Sequence, residues 1–215
     1  MSDRHPAGWL DDETWALVQR QVPVACVDLV PARGGDGAPL EVGLILRESP
    51  FGLRWCQIGG RLRLGETMRE GLLRHLAHTL ANATVDLPTD PQPDYVMQWF
   101  TDEIPASRDG VEYGYDPRQH AVALCFAAEM RGEPVPVEGG EAVRFGWFTL
   151  DEVRRLGEAA RRGGLAGYGS DGRGDQSEIS VVDGLDQPSA FGKRARDQVG
   201  PPANVDQLTA HDVPR

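Results

Sequence analysis

Two arginines in the first third of the chain are placed where they could bind phosphate. Arg47 ends an apolar segment, and Arg61 follows a Gly59-Gly60 pair at the end of the next one. A guanidinium group offers paired N–H donors that match phosphate oxygens, so two arginines at neighbouring strand ends could hold a diphosphate. The alternative is that both are surface arginines, paired with the many carboxylates of this acidic chain.

Other ionisable side chains near these arginines could also do chemistry. Asp28 interrupts an apolar segment, and a buried carboxylate needs a partner, either a substrate hydroxyl or base or a structural arginine. His120 stands beside Gln119 where a polar loop meets a strand, and imidazole titrates near neutral pH. His75 and His78 lie one helical turn apart; they could bind a metal such as Zn²⁺ or be ordinary, partly exposed side chains.

The elements that position these side chains follow from apolar periodicity. We predict helices over 11–21, capped by Asp11 or Asp12, over 67–81, and after a cap at Asp151. The predicted strands cover 24–32, 40–47, 53–58, 95–101, 120–130 and 143–150. Pro134 and Pro136 are predicted to end the longest of them. Because strands and helices are mixed rather than strictly alternating, we expect an α+β domain with a mixed sheet.

Composition limits the classes of function. The net charge of -11 over 215 residues argues against a general nucleic-acid or anionic-membrane binder, but it leaves small nucleotides open. No apolar run approaches the ~20 residues of a membrane span, and the N-terminus lacks a signal-peptide core. Three scattered cysteines fit a reducing cytoplasm. We place the domain at residues 9–158 and expect a disordered Gly/Asp/Pro-rich tail over 159–215.

The segment that begins at Gly60 resembles the Nudix box. In that box a Gly is followed after five residues by Glu, after seven more by Arg, and then by an aliphatic residue two positions on. Gly60, Glu66, Arg74 and Leu76 match this frame in register. The resemblance implies a Nudix-type α/β/α sandwich, in which the box forms a strand, a loop and a helix.

The metal-binding end of the box departs from the family. There, glutamates one, four and five residues after the Arg share a helix face and bind Mg²⁺ or Mn²⁺. Here the three positions hold His75, His78 and Thr79, so the box is degenerate. The resemblance implies Mg²⁺ or Mn²⁺ if the chain is active, whereas the residues present favour no metal.

The layout over roughly residues 9–156 is similar to that of GDP-mannose mannosyl hydrolases, and also to uncharacterised Nudix-like proteins that share DPRQHAV-type segments. This resemblance implies that the substrate is contacted by Asp28, Arg47 and Arg61. We add Gly60 for its backbone N–H and Gln119 for its place at a loop–strand junction that faces the same cleft. It implies acid–base roles for His120, which matches a family histidine, and for Glu141, which precedes the last strand where relatives place a base or metal ligand. Trp99, Tyr113 and Tyr115 could stack on a base or belong to the core.

Two functions follow as hypotheses. The first is a hydrolase of a nucleoside diphosphate derivative, such as a nucleotide sugar. The second is a Nudix-fold nucleotide-binding module that has lost turnover together with its metal-ligand glutamates. The mannosyl hydrolase resemblance leaves a homodimer open, and either function has a small-molecule nucleotide as its partner.

Overall fold

A computed structural model describes residues 10–35, 38–50, 52–101, 107–108, 111–156 and 178–179. Of the predicted tail over 159–215 only Glu178–Ile179 belongs to these ranges. The predicted domain limits at residues 9 and 158, and the predicted disorder of the tail, therefore lie outside the described residues. No helix in the described ranges has the length and apolar character needed to cross a membrane.

Helices and strands alternate irregularly along the chain. The described helices are α1 (Asp12–Gln21), α2 (Met68–Thr79) and α3 (150–156). The strands are β1 (Val24–Gly35), β2 (Ala38–Ser49), β3 (Gly52–Cys56), β4 (Ile58–Arg61), β5 (Leu80–Val85), β6 (Tyr95–Phe100), β7 (Ser107–Arg108), β8 (Val111–Glu112), β9 (Gly114–Tyr115), β10 (Ala121–Pro136), β11 (Ala142–Thr149) and β12 (Glu178–Ile179).

Most of these strands form one mixed sheet. Its order is β12-β3-β2-β1-β10-β6-β9, and β4, β5 and β11 pair with β1, β10 and β2 respectively. β1 runs parallel to β10 and antiparallel to β2 and β4. β7 and β8 pair with each other. The predicted α+β class with a mixed sheet is confirmed.

Helices cover both faces of this sheet. Side chains alternate along a strand, so Val27 and Val30 of β1 point to opposite faces. Leu72 of α2 shares a core cluster with Val27, whereas Val153 of α3 shares one with Val30. Trp15 of α1 packs against a third cluster that contains even-numbered residues of β1. The result is the predicted three-layer α/β/α sandwich.

The sheet divides between β3 and β4. On the same side of β1, β4 is the partner over Cys26–Leu29 and β2 is the partner from Ala32 onward. The two partner strands therefore part before Ala32. Gln57 stands at the division, 8% exposed, and donates its amide to the Tyr95 hydroxyl at 2.6 Å. The single strand predicted over 53–58 is therefore two strands, and the division between them opens a cleft.

The longest strand continues beyond its predicted end. β10 reaches Pro136, whose Cα partner is Leu80 of β5, and the register shifts around Pro134. An irregularity tolerates a proline because the regular ladder does not need its missing N–H there. The predictions that Pro134 and Pro136 end the strand, and that α2 extends to residue 81, were wrong because residues 80–85 form a strand that pairs with this extension.

Local capping sets the helix starts. Asp11 accepts a hydrogen bond from the Thr14 N–H at 2.8 Å, which confirms one of the two predicted caps of α1. The predicted cap at Asp151 was wrong. The Thr149 N–H and hydroxyl both donate to the Glu152 carboxylate at 2.8 Å, so Thr149 is the cap and α3 begins two residues earlier than predicted, in a capping box.

Candidate functional site

The cleft between β3 and β4 has a cavity volume of about 160 Å³. Residues of β1, β2, β3, β4, β6, β9 and β10 line it, together with residues of the short segments that connect them. Its lining contains arginines, carboxylates, thiols and aromatic rings. This mixture of charge and flat apolar surface is typical of a pocket that binds a polar small molecule.

Asp28 lies on the cleft floor, at the middle of β1. Its Cα is paired with Gly59 of β4, where a Cβ would collide with the Asp28 carboxylate and the Val27 carbonyl. Glycine is therefore required for β4 to approach so closely. Burial raises the pKa of Asp28 to about 7; Arg47 lowers it in part, and Glu141 raises it further. The carboxyl group thus titrates near neutral pH, where a general acid or base is most useful.

Arg47 forms the wall of the cleft on the β2 side. Its Nε donates to Cys56 Sγ at 3.0 Å, and its Nη1 lies 3.6 Å from Glu141 Oε2. The other Glu141 oxygen accepts from the Thr79 hydroxyl at 3.2 Å. These contacts link β2, β3, α2 and the segment before β11. They hold a guanidinium group beside the cleft with 29% of its side chain exposed.

The Gly60, Glu66 and Arg74 frame forms one strand–loop–helix unit. Glu66 accepts from Arg74 Nε and Nη2 at 2.6 and 2.7 Å and from the Arg63 N–H at 2.9 Å. Arg74 also donates to the Arg61 carbonyl at 3.1 Å. The Arg74 hydrogen bonds, more than any other cause, lower the pKa of Glu66 to about 2. Glu66 therefore ties the loop to α2.

The three positions that the box resemblance equates with metal ligands do not form a ligand set. His75 Nε2 lies 3.2 Å from the Arg61 carbonyl, and burial lowers the pKa of this imidazole. His78 is exposed, and the Thr79 hydroxyl donates to Glu141. Across the described ranges, no three His, Cys, Asp or Glu side chains are grouped as ligands for a metal ion. These donors do not fit Mg²⁺ or Mn²⁺, which need several oxygen ligands.

Gly60 and Arg61 contribute differently from each other. Gly60 lines the cleft. Its φ of 155° favours glycine, and a Cβ at this position would lie only 2.8 Å from the His75 ring. The Arg61 guanidinium instead lies over the Trp15 ring of α1, 4.0 Å from its centroid. Arg61 is not among the residues that line the cleft.

The two predicted residues before β10 point to different environments. Gln119 lines the cleft, and its Oε1 accepts from Gln19 of α1 at 3.1 Å. His120 stacks on Phe100 with ring centroids 4.5 Å apart, outside the cleft lining. Its buried Nε2 has no hydrogen-bond partner within the described structure. Gln119 continues the alternation of Ala121 and Ala123 in β10, which also line the cleft, whereas His120 falls between these positions.

Several lining residues were not predicted. Arg54 of β3 is paired in register with Arg47 and also lines the cleft. Arg118 contributes a third guanidinium, held at 2.8 Å by both oxygens of Asp116. Strand alternation could have placed Arg54 on the same side as Cys56, but nothing local to the sequence brings Arg118 to this cleft.

Aromatic side chains border the opposite end of the cleft. Trp99 and Tyr115 line it, and Trp99 lies directly against Gly114 of β9. Tyr113 packs edge-on against Phe100, at 5.2 Å between ring centroids. Of the three aromatic residues considered for base stacking, the cleft therefore brings together Trp99 and Tyr115.

Comparison with known proteins gives the family. A family described as "Domain of unknown function (DUF4916)" matches residues 5–160. A crystal structure described as that of possible asymmetric diadenosine tetraphosphate hydrolases from Jonesia denitrificans DSM 20603 is 30% identical, with a TM-score of 0.50. The alignment covers 63% of this chain and 84% of that one. No curated protein matches the sequence.

Other solved structures are more distant. A MutT NUDIX hydrolase from Burkholderia pseudomallei is 24% identical over 61% of this chain and 87% of its own, with a TM-score of 0.41. The NUDIX domain of Shewanella oneidensis NrtR, solved with ADP ribose, is 22% identical, with a TM-score of 0.42. That alignment covers 68% of this chain and 82% of that one. From its sequence match and its mixed-sheet sandwich, the chain belongs to the DUF4916 family and has a Nudix-type fold.

Proposed function

We propose that this chain hydrolyses a nucleoside diphosphate derivative in the cleft between β3 and β4. The observation that carries the proposal is that three guanidinium groups, two aromatic rings and the Asp28 carboxyl group line one cleft. A nucleotide has the matching parts, namely charged phosphates, a flat base and a polar group between them. The hydrolase description of the Jonesia denitrificans structure supports the same class of reaction.

Arg47 and Arg54 are the proposed diphosphate contacts. They face each other across β2 and β3, and both line the cleft. Two guanidinium groups at adjacent positions can each donate paired hydrogen bonds to phosphate oxygens. They provide local positive charge in a chain whose net charge is -11. Arg61 stays a proposed contact only at the rim, because its guanidinium lies over Trp15.

Trp99 and Tyr115 are the proposed base contacts. Stacking of a nucleobase on an aromatic ring is sequence-tolerant and contributes roughly 1–3 kcal/mol per base. Gln119 and the backbone at Gly60 lie in the same lining and can add hydrogen bonds that orient the ligand. The lining therefore offers both charged groups for a diphosphate and aromatic rings for a base.

Asp28 is the proposed acid–base group. For a nucleotide sugar, Asp28 accepts a proton from water, the water oxygen bonds to the anomeric carbon, and the bond from that carbon to the diphosphate breaks. The nucleoside diphosphate leaves with the bonding electrons, and the arginines stabilise its charge. No step passes through Mg²⁺ or Mn²⁺, because the donors present do not fit them. Glu141 serves by positioning Arg47, and His120 has no proposed contact.

A binding module without turnover is the second candidate. The hydrogen bond between Thr79 and Glu141 and the Glu141–Arg47 pair favour it, because they engage the groups that relatives use for chemistry. The same arginines and rings would bind the nucleotide. We also keep a domain over 9–158, a cytoplasmic location and a homodimer as proposals.

A substrate panel distinguishes the two candidates. The full chain is incubated with nucleotide sugars, ADP-ribose, dinucleoside polyphosphates and nucleoside triphosphates, and products are separated by chromatography. Hydrolysis of a nucleotide sugar that is lost in Asp28→Asn supports the proposal. Binding without product supports the module instead, and absence of both rejects the nucleotide cleft.

Two matched substitutions locate the ligand. Arg54→Met removes a guanidinium from the cleft and is expected to weaken nucleotide binding at least about tenfold, the scale of a lost charged hydrogen bond. Arg131→Met makes the same chemical change at an exposed residue of β10 that pairs with Glu129. Equal affinity of the two variants would place the phosphates elsewhere.

A further inference from the structure

The Arg47 guanidinium group provides a positive charge close to the part of α2 where the Nudix box has its metal ligands. The Thr79 hydroxyl donates a hydrogen bond to Glu141 Oε1 at 3.2 Å. The other carboxylate oxygen, Glu141 Oε2, forms an ion pair with Arg47 Nη1 at 3.6 Å. Glu141 is thus shared between a hydroxyl donor and a guanidinium group. A metal ion that used this carboxylate would stand beside a permanent positive charge.

The guanidinium is held in place by more than this ion pair. Arg47 Nε donates to Cys56 Sγ at 3.0 Å. Burial lowers the pKa of Arg47, but Cys56, Glu141 and Asp28 together raise it by more, so the guanidinium group keeps its charge. Cys56 and Asp28 also line the cleft. A planar group held on one side by a thiol and on another by a carboxylate presents the rest of its N–H donors in a defined direction.

We infer that Arg47 takes the role of the divalent cation, so this cleft binds the diphosphate of its ligand without a metal ion. The inference rests on the proposed nucleotide function and makes it more specific. Three observations carry it: the side chains at positions 75, 78 and 79 offer no carboxylate, Glu141 is engaged with Arg47, and the guanidinium lines the cleft.

Charge balance supports the same conclusion. A diphosphate brings negative oxygens, and Arg47 and Arg54 from paired strands supply positive charge on one wall. Mg²⁺ bound to the free nucleotide neutralises some of that charge before the ligand reaches the protein. Excess Mg²⁺ therefore leaves the affinity unchanged or weakens it, whereas in a metal-dependent site it strengthens binding.

The test is calorimetry of ADP, GDP and UDP with the full chain, in excess EDTA and in excess MgCl₂. The expected result is binding in EDTA that Mg²⁺ does not strengthen. Arg47→Met is expected to weaken this binding at least about tenfold, with no rescue by Mg²⁺, and Arg131→Met to leave it unchanged. Binding that requires Mg²⁺, or an Arg47→Met variant with wild-type affinity, would overturn the inference.

A second measurement uses the metal alone, so that the inference does not depend on finding the right nucleotide. Mn²⁺ is titrated into the wild-type chain and followed by its paramagnetic resonance signal. The inference expects no bound Mn²⁺, and stoichiometric binding at a single site contradicts it. If no nucleoside diphosphate binds in any condition, the proposed function fails, and the Mn²⁺ result still decides whether this site holds a metal.

A designed variant provides the positive control for metal binding. His75→Glu, His78→Glu and Thr79→Glu, combined with Arg47→Met, restore three carboxylates on one helix face and remove the competing charge. Folding is checked by circular dichroism. If the buried Thr79 does not tolerate the change, a variant with only His75→Glu, His78→Glu and Arg47→Met replaces it. Mn²⁺ binding by either variant and not by wild type supports the inference; equal Mn²⁺ binding by wild type overturns it.

Discussion

The pH dependence of folding stability provides a direct test of the environment assigned to Asp28. Burial raises the pKa of this carboxyl group from 3.8 to about 7. Between those two pH values the folded chain holds a proton on Asp28 that the unfolded chain has lost. The contribution of Asp28 to folding stability therefore falls as the pH rises through this window. Asp28→Asn has no proton to lose there, so it does not share this decline.

The expected size follows from the pKa difference. One pKa unit corresponds to about 1.4 kcal/mol, so a shift of about three units is equivalent to ~4 kcal/mol in all, of which ~2.5 kcal/mol lies between about pH 5 and pH 8. Asp28 is partly exposed to the cleft, which reduces the effect. We therefore expect the variant to gain about 2 kcal/mol relative to wild type over this range.

The assay is urea unfolding of both proteins at matched pH values, followed by tryptophan fluorescence. The relevant quantity is the difference in unfolding free energy between variant and wild type, because the titration of all other groups largely cancels in that difference. Asp86→Asn makes the same change on an exposed side chain and reports the effect of removing one charge. A difference that stays constant with pH, or that decreases as pH rises, would refute the assigned environment of Asp28.

Two further predictions concern the strand–loop–helix unit. Glu66→Gln is expected to lower the free energy of unfolding by about 2 kcal/mol at neutral pH, because it leaves Arg74 without its charged partner. The stabilisation by this pair is present above about pH 4.5 and is lost as the pH falls toward 2. Urea midpoints of both proteins at several pH values measure this. Thr67→Ala removes the capping box with Glu70 and is expected to cost about 1 kcal/mol, seen as a lower thermal midpoint; an unchanged midpoint would show that α2 does not depend on this cap.

Local features of the chain could be predicted from the sequence. The spacing from Gly60 through Glu66 to Arg74 spans one strand end, one loop and one helix, and the structure has them in one unit joined by the Glu66–Arg74 pair. Asp11 was one of the two caps predicted for α1 for a similar reason, since capping depends on residues three apart. Such features depend on short separations along the chain.

Strand ends were less predictable, because pairing overrides local preference. Pro136 lies in a strand only because β5 supplies a partner for the end of β10. Residues 80–81 read as a continuation of α2, yet the same pairing takes them into the sheet. β-structure depends on contacts between segments far apart in sequence, so neither choice could be made from the local pattern.

The sequence by itself determined the residue types available for the proposed phosphate and base contacts and the frame that holds the loop to α2. Tertiary structure alone decided which of them share a cleft. Arg54 and Arg118 join Arg47 there, whereas Arg61 lies over Trp15. The reason is physical: alternation along a strand fixes the side to which a residue points, but the strands and helices that then surround it come from distant parts of the chain.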